Sequence, residues 1–142
     1  MLGRKDYTRD EVDNGKAAVA RQLAAHETLA DAIGADKQAA AAFEAFDRLL
    51  FNNLTLMLDR LYVHRVRAVA GKDTNPLNEV ELICESLMNN GGVFEPGTVV
   101  KYRQDESILK LAAGDEIRLS ADDFDRLSTG FFTELEARFV SA

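Results

Sequence analysis

The chain has 142 residues, and its 24 acidic and 17 basic groups leave a net charge of −7. That length suits one domain with one core, and the acidic excess disfavours non-specific binding to nucleic acid or to an anionic membrane surface. No apolar run reaches the ~18 residues of a membrane span, and the start of the chain is polar. Cys84 is the sole cysteine, which matches a reducing compartment. We therefore predict a cytoplasmic protein without a membrane partner.

The first predicted helix covers residues 8–33. Thr8 and Glu11 have the spacing of a capping box at its start, and Gly34 follows its last residue. Apolar residues recur along one side at helical spacing. His26 falls among them, and His64 falls on the apolar stripe of the second predicted helix, so we expect both side chains to be at least partly buried and hydrogen-bonded.

The second predicted helix runs from residue 36 to residue 70 and has the strongest apolar pattern of the chain. Its core stripe comprises Phe43, Phe46, Leu50, Leu54, Met57, Leu61 and Ala68, and Asn53 lies among them. A second, overlapping apolar stripe comprises Leu49, Phe51, Leu56, Leu58 and Tyr62, and the remaining polar stripe comprises Glu44, Arg48, Asn52, Thr55 and Asp59.

At 1.5 Å per residue a helix of this length extends roughly 50 Å, which is more than a compact chain of this size encloses. Either the helix breaks, or it protrudes and is covered by a second copy of the chain. Because no proline lies inside it, we expect the second, and a buried Asn53 would set the register of the two helices.

A third helix is predicted over residues 76–89, because an Asn-Pro pair supplies its cap and first position and a run of Asn and Gly follows its end. Between residues 98 and 119, three short segments alternate between apolar and polar side chains. This alternation predicts a small three-stranded antiparallel sheet, with Lys110 and Arg118 on its solvent-exposed side.

The last predicted helix covers residues 120–139 and begins at a capping box formed by Ser120 and Asp123. The complete prediction is one domain, residues 1–142, of the α+β class and mainly α. It consists of a long antiparallel helical hairpin, a third helix, the small antiparallel sheet and a C-terminal helix.

The motifs of common catalytic and cofactor sites are missing from the sequence. It has no H-E-x-x-H, G-x-x-x-x-G-K, G-x-S-x-G or paired-cysteine pattern, so we expect neither a metal nor a cofactor. In the predicted hairpin His26 faces about residue 43, which leaves it ~30 Å from His64. An enzyme that uses His64 as general acid or base, with Glu79 or Asp73 as its partner, stays open, although the sequence favours a protein without catalytic activity.

A cluster of basic residues lies at the predicted corner between residues 60 and 81. Arg60, His64 and Arg67 are spaced by four and three residues, which places them along one side of the second helix. The next helix begins after Asn75 and directs its unpaired N–H groups toward the same corner. We therefore predict that a phosphate, a carboxylate or an acidic side chain of a partner protein binds these four residues. In the alternative, the basic groups form internal ion pairs with Asp59, Asp73, Glu79 and Glu81.

Several short segments resemble a small bacterial family of actinobacterial type that has no assigned activity. They are Tyr-Val-His-Arg at 62–65, Gly-Lys-Asp at 71–73, Asn-Pro-Leu-Asn-Glu-Val at 75–80, Gly-Asp-Glu-Ile at 114–117, Asp-Phe at 123–124 and Phe-Phe at 131–132. The similarity covers about residues 43–139. It implies a bacterial cytoplasmic setting, and it carries no substrate, cofactor or site residue over to this chain.

These observations lead to two functional hypotheses. The first is a non-enzymatic interaction module that forms a homodimer through the second helix. The second is a protein that binds a small anionic ligand, phosphate or carboxylate, at the corner of residues 60–81. Nucleic acid is disfavoured as a partner, since the third helix carries acidic and no basic side chains.

Overall fold

The computed structural model describes residues 3–141; Met1, Leu2 and Ala142, which the predicted domain included, lie outside the described residues. Within them the chain forms five α-helices, joined by turns and by one long irregular connection. The helices are α1 (Arg9–Ile33), α2 (Lys37–Leu61), α3 (Arg67–Ala70), α4 (Pro76–Asn89) and α5 (Ala121–Phe139), and a short 3-10 turn spans Gln104–Glu106.

The predicted first, third and last helices are confirmed, together with the residues that begin them. The side chains of Thr8 and Glu11 form a capping box at α1, and those of Ser120 and Asp123 form another at α5. Asn75 caps α4, as the sequence predicts. These caps satisfy N–H groups that have no partner inside the helix.

The prediction of one continuous helix over residues 36–70 is wrong, because α2 ends at Leu61 and α3 is a separate single turn. The guanidinium of Arg65 folds back onto the end of α2. It donates to the carbonyl oxygen of Tyr62 at 2.9 Å and to the carboxylate of Asp59 at 2.6 Å. In a continued helix the N–H of Val66 would bind the carbonyl of Tyr62; here that carbonyl accepts the guanidinium and the backbone N–H of Arg65 instead, and the helix ends.

The segment that follows α2 pairs with the start of the chain instead of continuing the helix. The N–H of Arg4 donates to the carbonyl of His64 at 2.6 Å, and the N–H of Val66 donates to the carbonyl of Arg4 at 3.0 Å. Val63, His64 and Val66 are weak helix formers, so little helical stability is lost by this extended pairing. The break needs no proline, which is why a search for helix breakers does not find it.

The three-stranded sheet predicted between residues 98 and 119 is absent from the part of the chain that the structure describes, so the fold class is helical rather than α+β. The connection between α4 and α5 contains one isolated antiparallel bridge, between Val93 and Glu116. Its side chains still alternate as predicted, since Ile117 is buried and Arg118 is exposed.

Side chains of the neighbouring helices form the hydrogen bonds that strands would have supplied. Asn52 of α2 donates through Nδ2 to the carbonyl of Ile117 at 2.8 Å and accepts through Oδ1 from the N–H of Leu119 at 3.1 Å. The carboxylate of Glu79 in α4 accepts two more backbone N–H groups of the connection, at 2.8 and 2.9 Å. The backbone groups involved are therefore satisfied without a partner strand.

The core joins the helices and the irregular connection into one cluster of buried apolar side chains. Its largest fully buried aromatic members are Phe51, Phe94, Phe124, Phe131 and Phe139. Within the cluster α2 packs against α1, α4 and α5. Three neighbours thus cover most of the circumference of α2, and one side of the helix faces away from all of them.

Candidate functional site

The side of α2 that faces the core differs from the predicted one. The helix buries Phe51, Leu54, Thr55 and Leu58. Phe46 and Asn53, which the sequence places in the core stripe, are exposed to solvent. Asn53 is thus exposed within its own chain, and its predicted role in setting the register of two paired helices stays a prediction.

The polar stripe of α2 explains this orientation. Asn52 binds the backbone of the irregular connection, and Arg48 donates to the carbonyl of Arg118 at 3.1 Å. Thr55 is fully buried, and its hydroxyl is satisfied because Oγ1 donates to the carbonyl of Phe51 at 2.8 Å. With its polar stripe turned inward and hydrogen-bonded, α2 presents one of its apolar stripes to solvent.

We call this solvent-facing stripe the outer face of α2. Its exposed members are Ala42, Ala45, Phe46, Leu49, Asn53 and Arg60. Leu50, Leu56 and Met57 lie at its margins, where they are partly buried against the core. The most exposed large side chains are Leu49, at 65% of its full accessible surface, and Phe46, at 52%. The stripe carries no charge from Ala42 to Met57, and from Ala42 to Arg60 it extends about 27 Å at the rise of an α-helix.

The helical hairpin protrudes from the core as an arm, residues 20–50. All of these residues are described by the structure, and none of them is buried. The two helices of the arm are joined by a hydrogen bond of 2.8 Å between Nε2 of His26 and Oδ1 of Asp47. The ring of His26 also lies 4.9 Å from that of Phe43, which confirms the predicted pairing of these positions and the partial burial of His26.

The structure does not bring the four predicted anion-binding residues together in one cavity. Arg60 is exposed on the outer face of α2, and His64 is exposed in the segment after it, so the expected partial burial of His64 is wrong. His64 borders a surface cavity of about 280 Å³. Arg67 borders a different cavity, of about 150 Å³.

Arg67 and Asn75 are both occupied by contacts within the corner. Arg67 forms an ion pair with Glu81 and donates to the carbonyl of Gly71 at 3.2 Å. Asn75 accepts the N–H groups of Leu77 and Asn78 at 3.0 and 3.3 Å. The N–H groups that the sequence directs toward a ligand are therefore bound in part by the cap of α4 itself.

One further contact agrees with the internal ion pairs that the sequence leaves open as the alternative, since Arg65 pairs with Asp59 at 2.6 Å. Asp73 lies 3.6 Å from Arg138 of α5 instead of pairing with a basic group of the corner. Glu79 departs from that expectation, because its carboxylate binds backbone N–H groups of the irregular connection rather than a basic side chain. Burial raises the pKa of Glu79 above its usual range in spite of these bonds.

The contacts of the corner also bear on the hypothetical acid–base site. The partners observed for Asp73 are Arg138 and Asn75, and those of Glu79 are backbone groups. Cys84 is buried, its Sγ donates to the carbonyl of Thr55 at 3.4 Å, and burial raises the pKa of its thiol, which disfavours the reactive thiolate. Among the described residues, no side-chain hydrogen bond links His64 to either carboxylate.

Within residues 3–141 no three His, Cys, Asp or Glu side chains converge as a set that could hold a metal ion. None of the described helices has the length and apolar character needed to cross a membrane. Comparison with protein families, with curated proteins and with solved structures found no match to this chain.

Sequence reasoning assigned the outer face of α2 to the core and so missed its residues as an exposed surface. Leu49 and Phe46 were visible as apolar positions on two overlapping stripes. The signal that distinguishes the stripes is the polar pair Arg48 and Asn52, whose spacing of four places both side chains against the same neighbour. That neighbour is the irregular connection near Ile117, and the sequence does not identify it. The orientation of α2 therefore could not be predicted from this pair alone.

Proposed function

We propose that this chain is a non-enzymatic interaction module that self-associates, the outer face of α2 in one copy packing against the same face in a second copy. The observation that carries the proposal is the uncharged apolar stripe from Ala42 to Met57 on the outside of α2, in which Phe46 and Leu49 are more than half exposed. Leu50, Leu56 and Met57 at its margins are partly exposed. A helix that faces water ordinarily shows charged and polar side chains there. A contiguous apolar face of this kind is typical of a protein-interaction surface.

The hairpin arm supports a second copy as the occupant. Two helices that have no buried residue between positions 20 and 50 gain little stability from their own packing. If the outer faces of two copies pack against each other, each arm gains an apolar contact from the other copy. The result is a symmetric dimer, which is the commonest form of homo-oligomer. The alanines at the start of α2 also permit close approach of a neighbouring helix.

The size of the face sets the expected affinity. One helix face about 27 Å long gives an interface at the small end of specific protein contacts, below ~1,200 Å² in total. Contacts of this size are ordinarily weak and reversible. We therefore expect a dissociation constant of roughly 1 to 100 µM, so the chain would exchange between monomer and dimer.

Anion binding at residues 60–81 is the second hypothesis, and it has less support from the observed contacts. Arg67 and Asn75 already bind groups of their own chain, so an anion would have to displace Glu81 from Arg67. A rise in Tm on adding inorganic phosphate to the wild-type chain, lost in Arg67→Ala, would favour this alternative. We also propose a cytoplasmic setting, which a buried, reduced Cys84 supports.

The test of self-association compares two substitutions of the same chemical kind. Leu49→Asp places a charge in the middle of the outer face, while Val99→Asp places one at an equally exposed apolar residue, at 70% of its full surface, outside that face. Size-exclusion chromatography with light scattering gives the mass of each variant, and circular dichroism verifies its helical content.

We expect wild type and Val99→Asp to increase from 15.7 kDa toward twice that mass as concentration rises. Leu49→Asp should remain monomeric with unchanged helicity, because a buried unpaired carboxylate would cost more than the contact yields. A Leu49→Asp chain that dimerises as well as the wild type would contradict the proposal. Loss of the dimer in Val99→Asp would contradict its location on α2.

A further inference from the structure

We infer that the two copies of α2 pack antiparallel, with the two-fold axis of the dimer beside Asn53. This inference rests on the proposed self-association and specifies its geometry. Asn53 is the one uncharged polar side chain among the larger residues of the outer face, and it lies midway between Phe46 and Arg60, seven residues from each.

The residues on either side of Asn53 form a nearly symmetric pattern. Leu49 and Met57 lie four residues before and after it, and Leu50 and Leu56 lie three residues before and after it. Offsets of three, four and seven residues return to the same side of an α-helix. Reversing the direction of α2 about Asn53 therefore exchanges apolar side chains with apolar side chains from Leu49 to Met57, over about two turns, and exchanges Phe46 with Arg60 at the ends of the face.

An antiparallel pair makes use of this symmetry. A two-fold axis at Asn53 sets Leu49 of one copy opposite Met57 of the other, so the apolar positions meet on both sides of the axis. The two Asn53 side chains then face each other, and each amide has both a donor and an acceptor for its counterpart. A lone Asn within an apolar helix contact fixes register, because any shift leaves its amide unpaired.

The residues at the two ends of the outer face favour antiparallel over parallel packing. In the antiparallel pair the guanidinium of Arg60 meets the ring of Phe46 from the other copy, which is a favourable cation–π arrangement. In a parallel pair about the same residue, Arg60 would face Arg60 and the like charges would repel. Opposed helix dipoles also favour the antiparallel direction.

Antiparallel packing also covers the surface that each chain leaves open. The Phe46 end of α2 belongs to the protruding arm, and the Arg60 end belongs to the body of the protein, where Leu61 and Val63 are exposed at 45% and 39%. Reversing one copy lays each arm along the body of the other. The apolar residues at both ends of α2 thereby enter a single contact.

Cysteine cross-linking tests this geometry. Three single variants, Asn53→Cys, Leu49→Cys and Met57→Cys, are oxidised separately, and the last two are also oxidised as a mixture. The wild-type chain is the control, because its own Cys84 is buried and hydrogen-bonded. Denaturing gels without reductant report the linked fraction, and sedimentation of the reduced variants reports whether each still dimerises.

We expect Asn53→Cys to link with itself and the Leu49→Cys and Met57→Cys mixture to link, whereas each of these two alone stays unlinked. Their sulfur atoms are too far apart in an antiparallel pair, since four residues on each side of the axis separate them by about 12 Å. Self-linking of Leu49→Cys and of Met57→Cys would show a parallel dimer and overturn this inference while the proposed function stands. Reduced variants and wild type that sediment as monomers would overturn both.

Discussion

The buried carboxylate of Glu79 accepts backbone hydrogen bonds that a neighbouring strand would otherwise accept. Glu79 is only 2% exposed, and its two oxygens accept the N–H groups of Ile108 and Leu109. Burial disfavours its charge, which is the reason for its raised pKa. The carboxylate is nevertheless retained, because the two N–H groups that it binds would otherwise be buried without a partner.

Replacing Glu79 with Ala should therefore loosen the irregular connection. We expect a loss of about 1–3 kcal/mol in the free energy of unfolding, since two buried donors lose their acceptor. Amide hydrogen exchange should accelerate at Ile108 and Leu109, and urea titration measures the stability. Glu85→Ala, at an exposed residue of the same helix, is the matched control. Unchanged exchange at both amides would refute this role of Glu79.

Tyr62 makes stability depend on alkaline pH. Its ring lies among aromatic side chains, its hydroxyl donates to the carbonyl of Glu11 at 2.8 Å, and burial raises the pKa of Tyr62 to about 12. An unfolded tyrosine titrates near ~10. Because the folded chain favours the neutral phenol, its contribution to stability is complete below pH ~10 and is lost as pH rises toward 12.

The Tyr62→Phe variant should consequently have a flatter dependence of Tm on pH above ~10 than the wild type. At neutral pH it should be less stable by about 1 kcal/mol, since the carbonyl of Glu11 loses its donor. Part of the alkaline dependence will remain, because burial also raises the pKa of Tyr7. Equal slopes for the two chains would show that Tyr62 does not titrate as described.

At the scale of elements, α1 depends on a glycine for its contact with the end of α2. Gly15 is buried in the second turn of α1, and a Cβ built at this position would lie 1.9 Å from the Tyr62 hydroxyl and 3.2 Å from the ring of Phe132. Gly15 therefore has a packing role, although glycine lowers helix propensity by about 1 kcal/mol relative to alanine.

Gly15→Ala should destabilise the protein by about 1–3 kcal/mol in spite of the better helix propensity, because the added Cβ would overlap the Tyr62 hydroxyl and the ring would have to leave its observed position. Ala24→Gly, at an exposed position of α1, measures the effect of helix propensity without a change in packing. It should lower the free energy of unfolding by about 1 kcal/mol. Thermal unfolding of both variants gives the comparison. A Gly15→Ala chain more stable than wild type would contradict the observed contact with Tyr62.

The elements that sequence reasoning predicted correctly are those with local signals. Capping residues such as Thr8 and Ser120 and the Asn-Pro pair before α4 act within one turn, so the sequence alone identifies them. The end of α2 depends instead on Arg65 and on the start of the chain, and the missing sheet depends on Asn52. These contacts join residues far apart in sequence, or a side chain and a backbone group. The periodic pattern of apolar residues along the sequence does not predict such contacts.

The candidate site has the same limit. Both apolar stripes of α2 were recognisable, and so was the need for a cover beyond a single neighbour. Which stripe faces solvent is decided by the hydrogen bonds of Arg48 and Asn52 to the irregular connection. The basic corner was likewise recognisable as a cluster, but the partners of Arg67 became clear only from the fold.

At the scale of the whole molecule, the chain has a closed core at one end and an open arm at the other. The core contains the large aromatic residues, whereas no residue from 20 to 50 is buried and the arm ends in a turn of exposed residues at Gly34. An arm of this kind is stabilised when a second surface covers it. The apolar outer face of α2, continuous from arm to body, is the surface that a second copy would cover.

Sedimentation equilibrium of the wild-type chain over roughly 1 to 300 µM tests this account most directly, because the range spans the expected dissociation constant. We expect the weight-average mass to rise from 15.7 kDa toward twice that value, and we expect Leu49→Asp to abolish the rise. A mass that stays at 15.7 kDa throughout would show that the outer face of α2 does not bind a second copy, and would contradict the central claim.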